Sequence, residues 1–329
     1  MEAEVYDVVV VGGGAAGLSA ALVLGRARRR VVVVDAGRPR NSSAAQMHGF
    51  LSRDGMAPAD LLSAGRAELA RYGVEVVHDR VVRVDAGFFV RLGSGTVLRA
   101  RRLLVATGVR DDLPDIPGVR ERWGRDLLHC PYCHGWEVRD QRLGVIATHA
   151  GAVEHAFLVR QWSDDVTLFS HSYVPTSTER RQLAAHGVAV VTGTVRRLVV
   201  EEDRLTGVQL EDGRTHLCSA VFVRPVNAPH ADGMLAGLRC ELDAEGFPVT
   251  DRAGRTTAFG VWAAGNAADP RAQVITSAGA GSAAAIAINA DLVAEDVERS
   301  VEAQAARPFS AAMETQVSEI MLGGRRHGF

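Results

Sequence analysis

Two of the four cysteines of this sequence lie in one short string with a histidine on either side: His129-Cys130-Pro131-Tyr132-Cys133-His134-Gly135. A CxxC pair near an α/β pattern is typical of a redox disulfide whose thiolate is stabilised by a helix N-terminus. The same thiol and imidazole groups are also ligands for zinc. Read literally, Cys130-x-x-Cys133-His134 is in addition the attachment motif of a c-type haem. The string alone leaves all three chemistries open, so the elements around it must distinguish them.

The composition is that of a globular protein. The chain has 329 residues, 47% of them hydrophobic, and a net charge of −2. This length allows two domains with sizeable cores, and the charge gives no indication of nucleic-acid binding. All 37 basic residues are arginine, which excludes a Schiff-base lysine and the lysine of a phosphate-binding loop.

The N-terminus and the apolar segments predict a cytoplasmic protein without a membrane partner. Residues 1–4 lack the charged and apolar regions of a signal peptide. No uncharged apolar run reaches membrane-spanning length, and residues 278–293, which come nearest, are interrupted by polar residues. Cysteines in the cytoplasm are normally reduced, so a paired motif there is more often catalytic than structural. We expect the isolated Cys218 and Cys240 to be inert core thiols.

A buried strand, a glycine-rich turn and a helix open the sequence. Residues 8–11 are a β-branched run without alternation, as expected of a strand buried on both faces of a parallel sheet. They lead into Gly12-Gly13-Gly14-Ala15-Ala16-Gly17 and a helical stretch, and a second buried strand, residues 31–34, ends at Asp35. This is the dinucleotide fingerprint in its proper context.

Each residue type in the fingerprint has a physical role. Gly12 allows the tight turn, Gly14 lets the backbone approach a pyrophosphate, and Gly17 lets the helix pack on the strand. The helix N-terminus offers amide donors to the phosphates, and Asp35 can accept hydrogen bonds from a ribose. The predicted cofactor contacts of this unit are Gly12, Gly14, Ala15, Ala16, Gly17 and Asp35.

Two later segments bear on which dinucleotide is bound. Residues 103–108 are a strand ending in a turn of small residues, and residues 260–266 are another strand ending in glycine, followed by a long Ala-rich helix. They resemble the additional FAD-contacting segments of two-dinucleotide-domain flavoproteins. This resemblance implies further contacts from Ala106, Thr107, Gly108, Gly265, Asn266, Gln273, Val274 and Ile275. An acid usually follows the last glycine in those flavoproteins, so Asn266 is either a substitute hydrogen-bonding partner or a plain turn residue.

Between these parts lies an insertion with its own β-α-β pattern. Linker-like segments at residues 112–118 and 224–229 bound it. Within it we predict strands over residues 143–147 and 166–169, with a helix from Ala152 between them. The predicted domains are the first part of an FAD-binding domain (1–114), an inserted NADPH-like domain carrying the CxxC (115–225), the second part of the FAD-binding domain (226–300) and a C-terminal extension (301–329).

This order of motifs resembles the low-molecular-weight thioredoxin reductases over roughly residues 5–300. The resemblance implies an α/β fold with two Rossmann-like dinucleotide-binding domains and bound FAD. Those reductases usually carry an acid directly after the second cysteine, where this chain has His134. The Cys-x-x-Cys-His-Gly form is more similar to the dithiol oxidases of the gliotoxin and holomycin type, which close disulfides in small natural products. In the extension we predict a short amphipathic helix over residues 313–322, at the interface of a homodimer.

The inserted domain departs from the reductases at its own glycine turn. Aligned on the first fingerprint, its three glycine positions are Ala147, His149 and Ala152. Alanine is tolerable at the first and third positions. A histidine at the second places a side chain where the backbone must approach the pyrophosphate. We therefore predict that this nucleotide site is vestigial.

The strand that follows supports the same prediction. It ends in residues 170–172, Ser-His-Ser, where the reductases place paired arginines for the 2′-phosphate of NADPH. Arg180 and Arg181 lie too far downstream to replace that pair. The alternative is that His149 and His171 act as cationic phosphate ligands.

The flavoprotein resemblance distinguishes the three chemistries of the CxxC. A structural zinc site needs four ligands, and no second CxxC or HxxxH motif supplies the missing ones. Covalent haem would require export and an axial partner. We therefore predict a flavin-coupled redox disulfide.

By resemblance, Cys133 is the thiol next to the flavin and Cys130 the one that exchanges with substrate. We predict His134 as general base for the incoming thiol, because an imidazole titrates near neutral pH. A structural role is the alternative for His134 and, more strongly, for His129. The predicted activity is oxidation of a small-molecule dithiol to an intramolecular disulfide, with oxygen as acceptor. The alternatives are a disulfide reductase fed by NADPH or a donor such as ferredoxin, and a non-catalytic FAD-bound redox sensor.

Overall fold

The first strand-turn-helix unit lies at the centre of a large sheet. The computed structural model describes residues 4–230, 233–305 and 311–323 of the chain. Its first elements are β1 (Glu4–Val11), α1 (Ala15–Arg26), β2 (Val31–Asp35), α2 (Pro58–Ala70), β3 (Glu75–His78), β4 (Val81–Asp85), β5 (Phe89–Leu92), β6 (Val97–Val105) and β7 (Val109–Asp112). Residues 8–10 are fully buried, and β1 pairs in parallel with both β2 and β6. The predicted two-sided burial of this strand is confirmed.

The inserted segment forms a second, parallel sheet. Its elements are α3 (Val119–Arg122), β8 (Leu127–Leu128), α4 (Pro131–His134), β9 (Leu143–Ala147), α5 (Gly151–Val159), β10 (Val166–Ser170), α6 (Ser177–Ala185), β11 (Val188–Thr192), β12 (Val195–Glu201), β13 (Arg204–Leu210), β14 (Thr215–Leu217) and β15 (Ala220–Val223). The parallel strands run in the order β11-β10-β9-β15-β8, and β12, β13 and β14 form a separate antiparallel sheet. The predicted β-α-β unit of this segment is confirmed, with its helix beginning at Gly151.

The chain then returns to the first sheet. Its last elements are β16 (Val226–Pro229), α7 (Met234–Gly237), β17 (Val261–Ala263), a 3-10 turn (Gly265–Ala267), α8 (Val274–Ala305) and α9 (Ala311–Gly323). β17 lies parallel to β6 in the first sheet, whose order is β3-β2-β1-β6-β5-β4. β7 and β16 pair with each other in antiparallel fashion, so both connections between the two large sheets run through one two-stranded ribbon. The predicted α/β fold with two Rossmann-like domains is confirmed.

Each large sheet has its own apolar core. Side chains of β1, β2, β6 and β17 form one cluster. The second sheet packs one face on α5 and the other on the antiparallel sheet of β12–β14. β8 is the edge strand of the second sheet, and its residues 127 and 128 are buried. Because the CxxC follows β8 directly, this buried edge fixes the start of the redox loop.

α8 spans 32 residues and contributes to two compact units, residues 1–287 and 288–329. By length and composition alone it could cross a membrane, although 33% of its most apolar stretch is buried within the fold. The expectation that no uncharged apolar run has this length still holds, because every stretch of 18 residues within α8 includes Asp291. A core helix passes the same test: a Cβ at Gly281 would overlap the carbonyl oxygen of Ala16, and Ala284 is fully buried. The cytoplasmic location stays a prediction.

The unit of residues 288–329 contains the end of α8 and all of α9. The predicted helix over residues 313–322 is confirmed, since it lies within α9. Residues 313–321 of α9 are exposed, and so are Val293, Val297 and Val301 of α8. The homodimer and a place for α9 at its interface stay predictions.

Candidate redox site

The two cysteines of the CxxC are joined in a disulfide, with their Cα atoms 5.2 Å apart. Cys130 precedes α4, and its sulfur accepts a hydrogen bond from the backbone N–H of Cys133 at 3.2 Å. Pro131 occupies the first helical position, where its missing N–H is not needed. Gly135 ends the turn by donating its N–H to the carbonyl of Pro131 at 2.7 Å. Of the predicted catalytic cysteines, Cys130 therefore caps a single helical turn and Cys133 lies within it; the sequence pattern did not locate this turn.

Aromatic side chains surround this turn. A Cβ at Gly135 would lie 2.8 Å from the ring of Trp162, so only glycine fits there. Tyr132 packs edge-on against the same ring, with the two centroids 5.6 Å apart. Tyr132 and Trp136 are nevertheless 63% and 65% exposed. The disulfide thus has an exposed aromatic surface beside it.

His134 lies directly after the redox pair and is partly buried. Burial is the main cause that lowers the pKa of its imidazole below the usual value; nearby His48 lowers this pKa further, whereas Glu137 raises it. The ring is therefore neutral near pH 7 and able to accept a proton. The protonation state that the predicted general base requires is the dominant one.

A second histidine near the redox pair, His48, was missed in the sequence. It lies in the β2–α2 loop (residues 36–57), edge-on to His134 with ring centroids 6.5 Å apart. Its Nδ1 is 3.3 Å from the carboxylate of Asp54, and its Nε2 is 3.5 Å from that of Glu137. No local pattern marks His48, because the loop meets the CxxC only in the folded chain.

His129 is half of a histidine pair next to the CxxC. His155 of α5 donates from Nε2 to the backbone carbonyl of His129 at 2.8 Å, and the ring centroids are 6.1 Å apart. Burial lowers the pKa of His129 to about 4 and that of His155 to about 3. Both rings are therefore neutral at physiological pH. This geometry favours the structural role for His129.

The first glycine turn is tight on one side and open on the other. A Cβ at Gly12, whose φ is +109°, would overlap the carbonyl oxygen of Ala106, and one at Gly17 would overlap that of Gly12. A Cβ at Gly14 would meet no described atom within 4 Å. Gly14 is also the N-cap of α1 and gives it no side-chain cap. No side chain therefore caps the first amides of α1, and these are the donors that a pyrophosphate at this turn would use.

Asp35 lies at the end of β2 beside this turn. Its carboxylate accepts a hydrogen bond from the N–H of Gly37 at 3.1 Å and lies 3.2 Å from Nη2 of Arg66. A Cβ at Gly13 would lie 2.5 Å from the same carboxylate, so the acid is close against the turn. This is where the fingerprint predicts a ribose partner. Arg66, which belongs to α2, was not anticipated.

The predicted late segments meet the first turn at the carboxyl edge of the first sheet. The N–H of Ala106 donates to the carbonyl of Val11 at 2.8 Å, which places the turn of residues 106–108 against β1. A Cβ at Gly265 would lie 2.8 Å from that of Ala16. α8 begins at Val274, directly after Gln273. Ligands of open α/β sheets bind at this edge, and it is here that the segments predicted to contact FAD would form the cofactor cleft.

Asn266 organises the loop before α8. Its Nδ2 donates to the carbonyl oxygens of Asp269 and Ala272 at 3.0 and 2.9 Å. An aspartate has no N–H and could make neither bond. Among the residues that the structure describes, the Oδ1 of Asn266 has no partner, and it stays available as an acceptor. The turn role is therefore present, and it leaves room for the cofactor contact.

The second glycine turn is closed by side chains. The Nδ1 of His149 accepts the N–H of Gly151 at 3.2 Å, and its Nε2 donates to the carbonyl of Arg224 at 3.1 Å. A Cβ at Gly151 would lie 2.8 Å from Nη1 of Arg224 and 3.0 Å from the ring of His149. The imidazole thus accepts the first backbone N–H of α5, a donor that a bound phosphate would need.

The end of β10 also lacks the features of a 2′-phosphate site. The Nδ1 of His171 accepts the N–H of Val195 at 3.1 Å, and burial lowers the pKa of this ring. His171 is therefore a neutral structural group. Arg180 and Arg181 are exposed residues of α6. This geometry favours the vestigial interpretation over the cationic one.

An open dinucleotide turn, a second dinucleotide-type domain and a CxxC disulfide together define a two-domain disulfide oxidoreductase. The chain belongs to the pyridine nucleotide-disulphide oxidoreductase family, which matches its residues 6–285. The family implies a flavin cofactor, and the predicted likeness to thioredoxin reductases is confirmed by the individual relatives.

Two fungal relatives illustrate this likeness. Thioredoxin reductase sirT of Leptosphaeria maculans is 30% identical, over 89% of this chain and 96% of its own. Thioredoxin reductase tcpT of Claviceps purpurea is 34% identical, over 64% and 70%. Among solved structures, HlmI is 59% identical with a TM-score of 0.89, over 91% of this chain and 96% of its own. An oxidoreductase from Agrobacterium tumefaciens is 38% identical with a TM-score of 0.82, over 88% and 98%.

Proposed function

We propose that this protein is an FAD-dependent dithiol oxidase, which closes an intramolecular disulfide in a small-molecule dithiol and reduces oxygen to hydrogen peroxide. The observation that carries the proposal is the filled second turn, where His149 takes the N–H of Gly151. A domain with no place for the pyrophosphate of NADPH cannot present a nicotinamide to the flavin. The electrons must then come from another donor, and a dithiol that reacts with the CxxC supplies them.

The first turn fits FAD, because α1 begins at open space and an acid ends β2. The residues proposed to hold it are Gly12, Gly14, Ala15, Ala16, Gly17, Asp35, Ala106, Thr107, Gly108, Gly265, Asn266, Gln273, Val274 and Ile275. When bound, FAD supplies the two-electron acceptor that reoxidises the cysteine pair and returns the electrons to oxygen.

The cysteine pair performs the exchange with substrate. A substrate thiolate attacks the sulfur of Cys130, and the Cys130–Cys133 bond breaks with Cys133 leaving as a thiolate. The second substrate thiolate attacks the substrate sulfur of this mixed disulfide, which releases the substrate disulfide and the Cys130 thiolate. The substrate loses two electrons and the cysteine pair gains them. The net reaction converts a dithiol and oxygen to a disulfide and hydrogen peroxide.

His134 accepts the proton of the incoming thiol on the unprotonated nitrogen of its ring. Its lowered pKa keeps that nitrogen free at neutral pH. The carboxylate of Glu137 favours the protonated ring, so it stabilises the imidazolium that forms. His48 lies beside both groups and holds Glu137 at 3.5 Å.

The surface beside the disulfide supports a small apolar substrate. Tyr132 and Trp136, which precede and follow Cys133 in the sequence, are exposed aromatic side chains, and flat rings of this kind bury apolar groups well. Arg139 lies over the ring of Trp136 at 4.0 Å from its centroid. A sulfur-containing natural product of moderate size fits this description.

NADPH-dependent disulfide reduction is the second candidate, because sirT and tcpT carry the name thioredoxin reductase. Oxygen uptake separates the two. With dithiothreitol as probe, the FAD-loaded protein should consume oxygen and form peroxide in amounts equimolar with the disulfide. With NADPH and thioredoxin it should oxidise no NADPH. Rapid oxidation of NADPH, together with no consumption of oxygen when dithiothreitol is added, would instead identify an NADPH-dependent disulfide reductase. Cys218→Ala, at a buried thiol away from the pair, is the matched control.

A further inference from the structure

The β2–α2 loop binds the ribbon through which the chain enters and leaves the inserted domain. Arg40 holds the carboxylate of Asp111 in β7 with two hydrogen bonds, at 2.8 and 2.6 Å. Asn227, which faces Asp111 from β16, donates to the same carboxylate at 2.7 Å. The remaining guanidinium nitrogen of Arg40, Nη1, donates to the carbonyl of Pro270, before α8, at 3.0 Å. One side chain therefore ties both crossing strands to the first domain.

The same loop touches the inserted domain itself at two further points. Ser43 lies so close to Gly124 that a Cβ there would overlap its hydroxyl and lie 2.9 Å from its carbonyl carbon. His48 reaches Glu137, just after the CxxC, at 3.5 Å. Three residues of the loop thus make contacts outside it: Arg40 with Asp111, Ser43 with Gly124, and His48 with Glu137.

The loop also reaches the start of α8. A Cβ at Gly49 would lie 3.5 Å from Oε1 of Gln273, one of the residues proposed to hold the flavin. His48 therefore lies against the redox loop, and its neighbour Gly49 lies against a residue proposed to hold the flavin. We call the hydrogen bonds of Arg40 to Asp111 and Pro270 the Arg40 node. A rotation of the inserted domain about the β7–β16 ribbon has to break this node, the Ser43–Gly124 contact or both.

We infer that the β2–α2 loop is a clamp that keeps the inserted domain in one orientation throughout turnover, with Arg40 and Asp111 as its positioning pair. The inference rests on the proposed function, since it gives the second domain the fixed task of holding the disulfide at the flavin. A reductase that alternates between nicotinamide and disulfide would need this clamp to open in each cycle.

The test uses two variants that release the clamp, each with a matched control. Gly124→Ala pushes Ser43 away, and Gly213→Ala introduces the same left-handed strain (φ +78° against +90°) at a site with nothing within 4 Å. Arg40→Ala removes the node, and Arg110→Ala removes the neighbouring exposed Arg110–Asp112 pair, which stays within β7. Hydrogen exchange of loop residues 41–48 is measured in the FAD-loaded protein, oxidised and then reduced by dithiothreitol.

We expect the native loop to exchange equally slowly in both redox states. Gly124→Ala and Arg40→Ala should each accelerate its exchange, and the two controls should not. In a Cys130→Ser background both releasing variants should lose most of the thiolate-to-flavin charge-transfer band. Unchanged exchange in both releasing variants, or a native loop that opens on reduction, would overturn the clamp. Absence of the band from Cys130→Ser alone would instead count against the proposed thiol roles, while the exchange data still decide the clamp.

Discussion

The two strand-turn-helix units, β1–α1 and β9–α5, share one backbone plan and differ in what stands over the helix N-terminus. Over α1 there are Gly14 and open space. Over α5 the ring of His149 takes the N–H of Gly151, and Arg224 lies against the same turn. An imidazole nitrogen and a phosphate oxygen compete for the same backbone donors. We therefore propose that the side chain at this one position separates a turn that binds a dinucleotide from one that does not.

On this proposal the second domain has lost its cofactor site and has kept its fold for another role. The second sheet retains its parallel order and a fully buried β9. Its edge strand β8 leads straight into the CxxC, and His155 of α5 holds the carbonyl of His129. What this domain retains is the support of the redox disulfide.

The largest effect, loss of the flavin, is expected when the histidine of the second turn is introduced at the equivalent position of the first turn, Gly14. Gly14 has an ordinary φ of −77° and nothing near its Cβ position, so Gly14→His should fold normally and lose its flavin. The ratio of flavin to protein after reconstitution measures this, with the melting temperature as a check on folding. Gly237→His, at another open glycine, should keep its flavin. A fully loaded Gly14→His protein would show that the pyrophosphate does not lie at this turn.

Replacing either cysteine should abolish turnover, and the two variants should differ in their spectra. In Cys130→Ser, Cys133 is a lone thiolate beside the oxidised flavin and should give a long-wavelength charge-transfer band. In Cys133→Ser the band should be absent. The visible spectrum of each purified variant decides the matter. The same band in both variants, or in neither, would mean that the proximal and distal roles are wrongly assigned.

His134→Ala should slow activation of the substrate thiol by roughly 10² to 10⁴-fold if His134 is the general base. Because burial lowers the pKa of His134, the native base is lost only as pH falls below the usual histidine range, and the acid limb of kcat/KM should lie there. The deficit of the variant should shrink as pH rises, since hydroxide then generates the thiolate. His78→Ala, at an exposed histidine of β3, is the control. A deficit that does not change with pH would indicate a structural role.

The smallest effect is expected from opening the second turn. His149→Gly frees the amide of Gly151, but Arg224 still lies against the turn and no arginine pair follows β10. We expect no binding of 2′,5′-ADP to the native protein, weak binding to His149→Gly, and dithiol oxidation by this variant at the native rate. Isothermal calorimetry measures the binding. If the native protein binds the nucleotide and His149→Gly weakens it, then His149 is a phosphate ligand after all.

The fold and the cysteine pair of the redox site could be predicted, because the sequence patterns that indicate them are local. Gly12, Gly14 and Gly17 follow a β-branched run, and the CxxC is contiguous in the sequence. The second turn was predictable for the same reason, since His149 stands at a definable position after β9. Backbone geometry that steric rules impose can be inferred from residue type alone.

The groups that complete the site could not be predicted, because distant loops supply them. His48 and Arg40 lie in the irregular β2–α2 loop, and Arg66 in α2 is 31 residues away from its partner Asp35. The role of Asn266 was ambiguous in the sequence, because an asparagine side chain can either stabilise a turn or bind a cofactor. Only the folded chain brings its Nδ2 to the carbonyls of Asp269 and Ala272.

Anaerobic mixing of the FAD-loaded protein with each electron donor tests the central claim most directly. With NADPH the flavin absorbance should persist over many seconds, because the second turn holds no pyrophosphate. With a small dithiol it should bleach, and admission of air should restore it with formation of hydrogen peroxide. Fast bleaching by micromolar NADPH would contradict the account and return the protein to the NADPH-dependent reductases.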